Sequence, residues 1–189
     1  PSRAPRTPRA CQRDVDAERV FAADRVAVAR AVTGAEESAW SDSFRTTSRL
    51  AAARRTVPVL GITGTGGSGK SSLTDELIRR LRLDQQDKLR VSVIAVDPTR
   101  RKGGGALLGD RIRANSLDGE QIFFRSLATR GAHEVPEHLG DVIAVAKASG
   151  ADLVIVETPG IGQGDAGILP FVDHSLYVMT PEFGAASQL

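Results

Sequence analysis

One cysteine, Cys11, stands in 189 residues, so no internal disulfide can hold this chain together. That usage fits a reducing compartment, and Cys11 itself is expected to be an inert thiol. No apolar run approaches the roughly 20 residues that cross a bilayer, and no signal-peptide pattern is present. These absences predict a soluble, cytoplasmic protein with no membrane partner. A marked excess of either charge is lacking too. Lys and Arg number 25 against 23 Asp and Glu, a formal net charge of +2, which leaves no case for a charge-driven nucleic-acid partner. An initiator Met is also missing, since the chain begins Pro1-Ser2-Arg3, as a processed or partial chain would. What is present is 41% hydrophobic content, enough for one real core at the usual roughly 100–200 residues per domain.

The chain has two textures. In residues 1–56 every basic residue is Arg, Pro1, Pro5 and Pro8 punctuate the start, and apolar periodicity is weak. A helix through VFAADRVAVARAV would put Val20, Ala23, Ala27 and Ala31 on one face, and a second short helix fits Ser48 to Arg55. The first face is mostly alanine and is expected to bury little. This region reads as a linker or interdomain segment, irregular or helical. A transit peptide is the rival for the first dozen residues, but Asp14, Asp16 and Glu18 interrupt the acid-poor pattern it needs.

From Val57 onward, short β-rich runs alternate with helical patterns. The strands are expected at 57–63, 91–96, 121–127, 152–157 and 174–180, with helices at about Lys70 to Leu83 and Pro136 to Ser149. Leu73, Leu77 and Leu81 would stack one face of the first helix, and Leu139, Val142, Ile143 and Ala146 one face of the second. Strands that are apolar almost throughout, joined by helices, predict a parallel sheet covered on both sides. The fold class is therefore α/β, a doubly wound, mainly parallel sheet with flanking helices.

Between the first strand and its helix lies Gly64-Thr65-Gly66-Gly67-Ser68-Gly69-Lys70-Ser71, which fits G-x-x-x-x-G-K-[ST] at every fixed position. Glycines let successive N–H groups curl around a phosphate, and the helix N-terminus adds its positive end. Lys70, expected on the surface loop, reaches the β/γ oxygens, while the Ser71 hydroxyl can ligate Mg²⁺. With a strand before and a helix after, the segment predicts a nucleoside-triphosphate site in a P-loop NTPase fold. Gly66, Gly67, Ser68, Gly69, Lys70, Ser71 and Ser72 are its candidate phosphate contacts.

The strand 152–157 delivers Glu157, followed by Thr158-Pro159-Gly160, to the sheet's carboxyl edge, where α/β sheets bind ligands. An acid there can hold Mg²⁺ or its waters, and Gly160 frees a backbone N–H to sense the γ-phosphate. Asp97, ending VSVIAVD, arrives at the same edge. It opens DPTRRKGGGALLGDRIR, where composition alone suggests a mobile loop and where Asp110 and Arg113 sit three apart, on one face of a short helical stretch. That pair serves either metal and phosphate or a surface ion pair. Glu157 has the plainer alternative of a strand-end surface carboxylate.

The wording GITGTGGSGKSSLTDEL, VIAVDPTRRKGGGALLGDRIR, FFRSLATRG and DLVIVETPGIGQGD resembles the G domain of the MeaB and ArgK type of GTPase chaperones. These serve adenosylcobalamin-dependent acyl-CoA mutases, and the wording is most similar to the version fused within isobutyryl-CoA mutase. The resemblance runs from about Val57 to Leu189. It implies a P-loop G domain over 57–189 that binds and hydrolyses GTP with Mg²⁺. Lys70, Asp97 and Glu157 would be its catalytic residues. Ser71, Asp97, Asp110, Glu157 and Thr158 would be metal ligands or acids just behind them, and Val96 would offer a carbonyl to a second metal. Arg113 would contact nucleotide. The resemblance also makes 97–113 switch I and 157–167 switch II, reporting the γ-phosphate to the mutase and to the loading or repair of its cofactor. Adenosylcobalamin would enter only through partner domains, the mutase and the cobalamin-binding domain, in a full-length homodimer.

Two departures qualify this reading. The guanine motif N-K-x-D is absent, because the single asparagine, Asn115, precedes Ser116. The family places that motif just beyond Leu189, so the G domain reads as C-terminally incomplete. Ras-like proteins put a water-orienting Gln directly after the switch II glycine. Ile161 stands there, with Gln163 two further on, which predicts slow intrinsic hydrolysis accelerated by a partner domain. The cobalamin pattern D-x-H-x-x-G is absent around His133, His138 and His174, and 57–189 leave no room for a mutase barrel of about 250 residues. Two rivals share the P-loop: a small-molecule kinase, and a nickel-insertion metallochaperone GTPase, which would need Cys and His at ligand spacing.

Overall fold

The computed structural model describes residues 15–98, 117, 119–129, 136–160 and 163–180. Three helices come first: α1 (Ala17–Phe21), α2 (Arg25–Glu36) and α3 (Asp42–Ala53). The single helix expected through VFAADRVAVARAV is two. Asp24 caps α2 by accepting the Ala27 N–H at 2.8 Å, and Ala23 just before it has φ +62°. A short acid that bonds its own downstream backbone favours a cap over a helix interior. Ser41 caps α3 in the same way through the Phe44 N–H at 3.1 Å, so α3 starts six residues before the expected Ser48.

These helices bury more than the alanine-rich pattern suggested. Ala27, Val28, Ala31, Val32 and Ala35 of α2 are buried, and α2 and α3 both pack on α5 (Leu139–Ala148). Small side chains bury by letting the helix approach closely, not by bulk. Trp40 closes the layer. Its Nε1 donates to the Ala31 carbonyl at 2.8 Å, and its ring meets Phe44 edge-on at 5.0 Å. Arg45 and Arg49 of α3 pair with the largely buried Asp141 of α5.

Among the described residues the sheet holds five strands, β1 (Val59–Gly64), β2 (Val91–Pro98), β3 (Ile122–Thr129), β4 (Leu153–Glu157) and β5 (His174–Val178), in the order β3-β2-β4-β1-β5. Every pairing is parallel. Each expected strand is present within two residues of its sequence bounds, because β-branched runs fit a pleated surface covered on both sides. Side chains alternate between two cores, as the strand period of two requires. Val154 and Val156 face the layer with α5 and the N-terminal helices, while Ile155 faces α4 (Lys70–Asp84).

The buried stripe of α4 is Lys70, Thr74 and Ile78, with Leu73, Leu77 and Leu81 only half-buried at its flank. The expected Leu stripe is thus displaced toward two polar residues that the site below accounts for. The face of α5, by contrast, is as expected: Leu139, Val142, Ile143 and Ala146 are all buried. A 3-10 helix, Gln163–Phe171, packs Ile168 against Gly61, where an added Cβ would stand 2.8 Å from the Ile168 Cδ1. Among the described residues no helix is long and apolar enough to cross a membrane.

Candidate functional site

β1 ends at Gly64, and α4 begins six residues later, so the motif loop hangs at the carboxyl edge of a central strand. Gly69 caps α4 in the left-handed region at φ +90°, which favours glycine there. It supplies no side-chain cap, whereas Asp16, Asp24 and Ser41 cap the three earlier helices. The first N–H groups of α4 are left for an anion.

Lys70 is 6% exposed, not the surface-loop lysine expected from sequence. Its ammonium folds back on the loop and donates to the carbonyls of Gly64 at 3.1 Å and Thr65 at 2.8 Å. The reason is local. The loop turns its carbonyls inward below the cradle, and a cation is the partner that satisfies them. Gly160 then closes over the ammonium at φ +76°. A Cβ there would stand 2.2 Å from Lys70 Nζ and 2.8 Å from the Gly64 carbonyl, so only glycine fits.

Glu157 comes in from β4 and binds α4 twice. Its Oε1 accepts the Ser71 hydroxyl at 2.5 Å, and its Oε2 accepts the Thr74 hydroxyl at 2.9 Å. It is therefore not a solvated strand-end carboxylate. An exposed hydroxyl beside a carboxylate is a hard oxygen donor set, which suits Mg²⁺, an ion that keeps several waters and takes one or two carboxylates plus phosphate oxygens. The loop fits an anion as well. Among the described residues, the buried hydroxyls of Thr65 and Ser68 have no partner, and no atom lies within 4 Å of a Cβ placed at Gly67 or Gly69.

The remaining expected residues are dispersed. Register pairs Glu157 with Ala95 of β2 and Ile62 of β1, and Val96 and Asp97 follow Ala95 toward the same edge. The Val96 side chain is buried, and the Asp97 backbone pairs with Ala128 of β3. Ser72 is exposed on α4. The Thr158 hydroxyl is buried and donates to the Thr63 hydroxyl at 3.2 Å. Asp110, Arg113 and all of 97–113 beyond Pro98 lie outside the described residues, as do Ile161 and Gly162 of 157–167.

The family model described as "Methylmalonyl Co-A mutase-associated GTPase MeaB" matches residues 28–189. The chain belongs to the MeaB family. Among its relatives, the "Fused isobutyryl-CoA mutase" of Nocardia farcinica is 66% identical over 184 residues, covering 95% of this chain and 17% of that protein. The protein of the same name from Cupriavidus metallidurans is 62% identical over 171 residues, covering 90% of this chain and 16% of that one. The MeaB-family chain thus spans about a sixth of these relatives. A crystal structure of the LAO/AO transport system kinase superposes with a TM-score of 0.60 at 26% identity, covering 86% of this chain and 48% of the other.

Sequence reasoning missed Thr65 and Thr74 in this MeaB-family site. A hydroxyl residue four positions after Lys70, interrupting a leucine-rich helix, was the available signal for Thr74. A cavity of about 300 Å³ among the described residues lies elsewhere, at the opposite end of the sheet between Arg25, Arg90, Ser92 and Gln121. A small recess of about 20 Å³ does adjoin Ser71, Thr74 and Glu157.

Proposed function

We propose that this chain is a Mg²⁺-dependent GTP-binding and hydrolysing switch domain that gates cofactor loading or protection on an adenosylcobalamin-dependent acyl-CoA mutase. The observation that carries the reading is the joint one at the P-loop, with Lys70 held by its own loop and Glu157 tied to Ser71. Ser71, Glu157 and Asp97 would hold Mg²⁺ or its waters, and bound Mg²⁺ would neutralise charge on the β- and γ-phosphate oxygens. The loop N–H groups and the α4 N-terminus bind the phosphates, and the buried Thr65 and Ser68 hydroxyls gain partners.

The switch follows from what phosphate displaces. Lys70 leaves the Gly64 and Thr65 carbonyls to meet the β- and γ-phosphates, and Gly160, which lies on that ammonium, moves with it. The backbone from Glu157 through Gly160 thereby senses the γ-phosphate, and 97–113 would be the other switch. A mutase domain is the proposed partner, in keeping with the names of the relatives, and the proposal extends to a cobalamin-binding domain and a homodimer of the full-length protein.

The kinase reading has one observation in its favour, the word kinase in the name of the matched crystal structure. Full-length protein incubated with γ-labelled GTP and candidate acceptors separates the two. The switch reading expects the label as free phosphate. Label on an acceptor would overturn it.

A further inference from the structure

We infer that Thr74 is a positioning residue that keeps the Glu157 carboxylate aimed at the phosphate edge while Ser71 turns to the metal. The inference rests on the function proposed above and adds a residue to its site. Thr74 sits one turn after Lys70 and is 4% exposed, so its hydroxyl is fixed by burial in α4. That hydroxyl has one proton and two acceptors within reach, the Lys70 carbonyl at 3.0 Å and Glu157 Oε2 at 2.9 Å.

The carboxylate is the stronger acceptor, because bonds to an ionised group are about twice as strong as neutral ones. The Lys70 carbonyl lies where the helix ladder already supplies an N–H, so it loses little. Each oxygen of Glu157 therefore has its own donor from α4. The two donors differ in freedom. Ser71 is exposed and is the hydroxyl that would ligate the cation, whereas Thr74 is buried between its two acceptors, Glu157 Oε2 and the Lys70 carbonyl. When Ser71 turns to the cation, Thr74 remains to hold the carboxylate across the α4–β4 gap. Without it, Glu157 has lost both α4 hydroxyls at the moment its direction matters.

The test is the ratio of affinities for a non-hydrolysable GTP analogue with Mg²⁺ and with chelator, measured on full-length protein. Thr74→Val conserves volume and removes the hydroxyl, and should lower that ratio about tenfold, the worth of one charge-assisted hydrogen bond. Thr74→Ser, which keeps the hydroxyl, should restore it. An unchanged ratio in folded Thr74→Val would overturn the assignment, as would a Thr74→Ser variant that fails equally. A wild-type protein whose binding ignores Mg²⁺ would instead remove the metal site itself, and Thr74 with it.

Discussion

The backbone of Gly160 lies on the ammonium of Lys70, so close that a methyl group at position 160 would stand 2.2 Å from Nζ. The P-loop cation and the segment after β4 are therefore packed directly against each other. Gly160→Ala adds both that clash and an L-residue at φ +76°, a conformation costing about 1–2 kcal/mol. The variant should bind GTP and GDP with nearly equal affinity, because the γ-phosphate no longer reaches the segment. Isothermal titration with both nucleotides checks this, and a retained preference for GTP would uncouple Gly160 from the switch.

Asp97 reaches the carboxyl edge two residues past Ala95, the register partner of Glu157. Asp97→Ala should raise the Mg²⁺ concentration needed for half-maximal hydrolysis about tenfold, as the loss of one carboxylate contact implies. An unchanged Mg²⁺ midpoint would take Asp97 out of the metal site.

The N-terminal helices share a hydrophobic cluster with the sheet, and Trp40 is the largest side chain in that layer. Trp40→Ala should cost about 3–5 kcal/mol in denaturant unfolding, the usual range for a buried Trp. A loss below about 1 kcal/mol would mean that these helices are an ornament on the sheet.

Hydrolysis should be slow in a G domain separated from its neighbours, since Ile161 occupies the place of a water-orienting glutamine. Single-turnover phosphate release, compared between the separated domain and the full-length protein, reads this directly. Equal rates would refute partner acceleration.

The sheet was legible because its strands carry continuous β-branched runs, and the motif loop because its chemistry demands fixed residue types at fixed spacing. The helix break at Ala22–Asp24 was harder to read, since Asp24 acts as a cap only through a bond to Ala27 that no periodicity shows. Burial of α2 was underestimated for a related reason: alanine contributes by permitting contact, which depends on the partner helix. Within the candidate site, the place of Glu157 at the sheet's carboxyl edge was legible from its position at a strand end. Its bond to Thr74 was not, because it depends on a strand that arrives 83 residues later.

The most direct test of the central claim is the affinity of full-length protein for GTP with Mg²⁺, before and after Lys70→Ala. Two charge-assisted bonds to phosphate, worth about 1.5–3 kcal/mol each, predict a loss of at least 100-fold, with circular dichroism showing the fold retained. Equal affinity in a folded variant would contradict the account, because a lysine buried in the loop for its carbonyls alone would then be structural and the cradle would not be a triphosphate site.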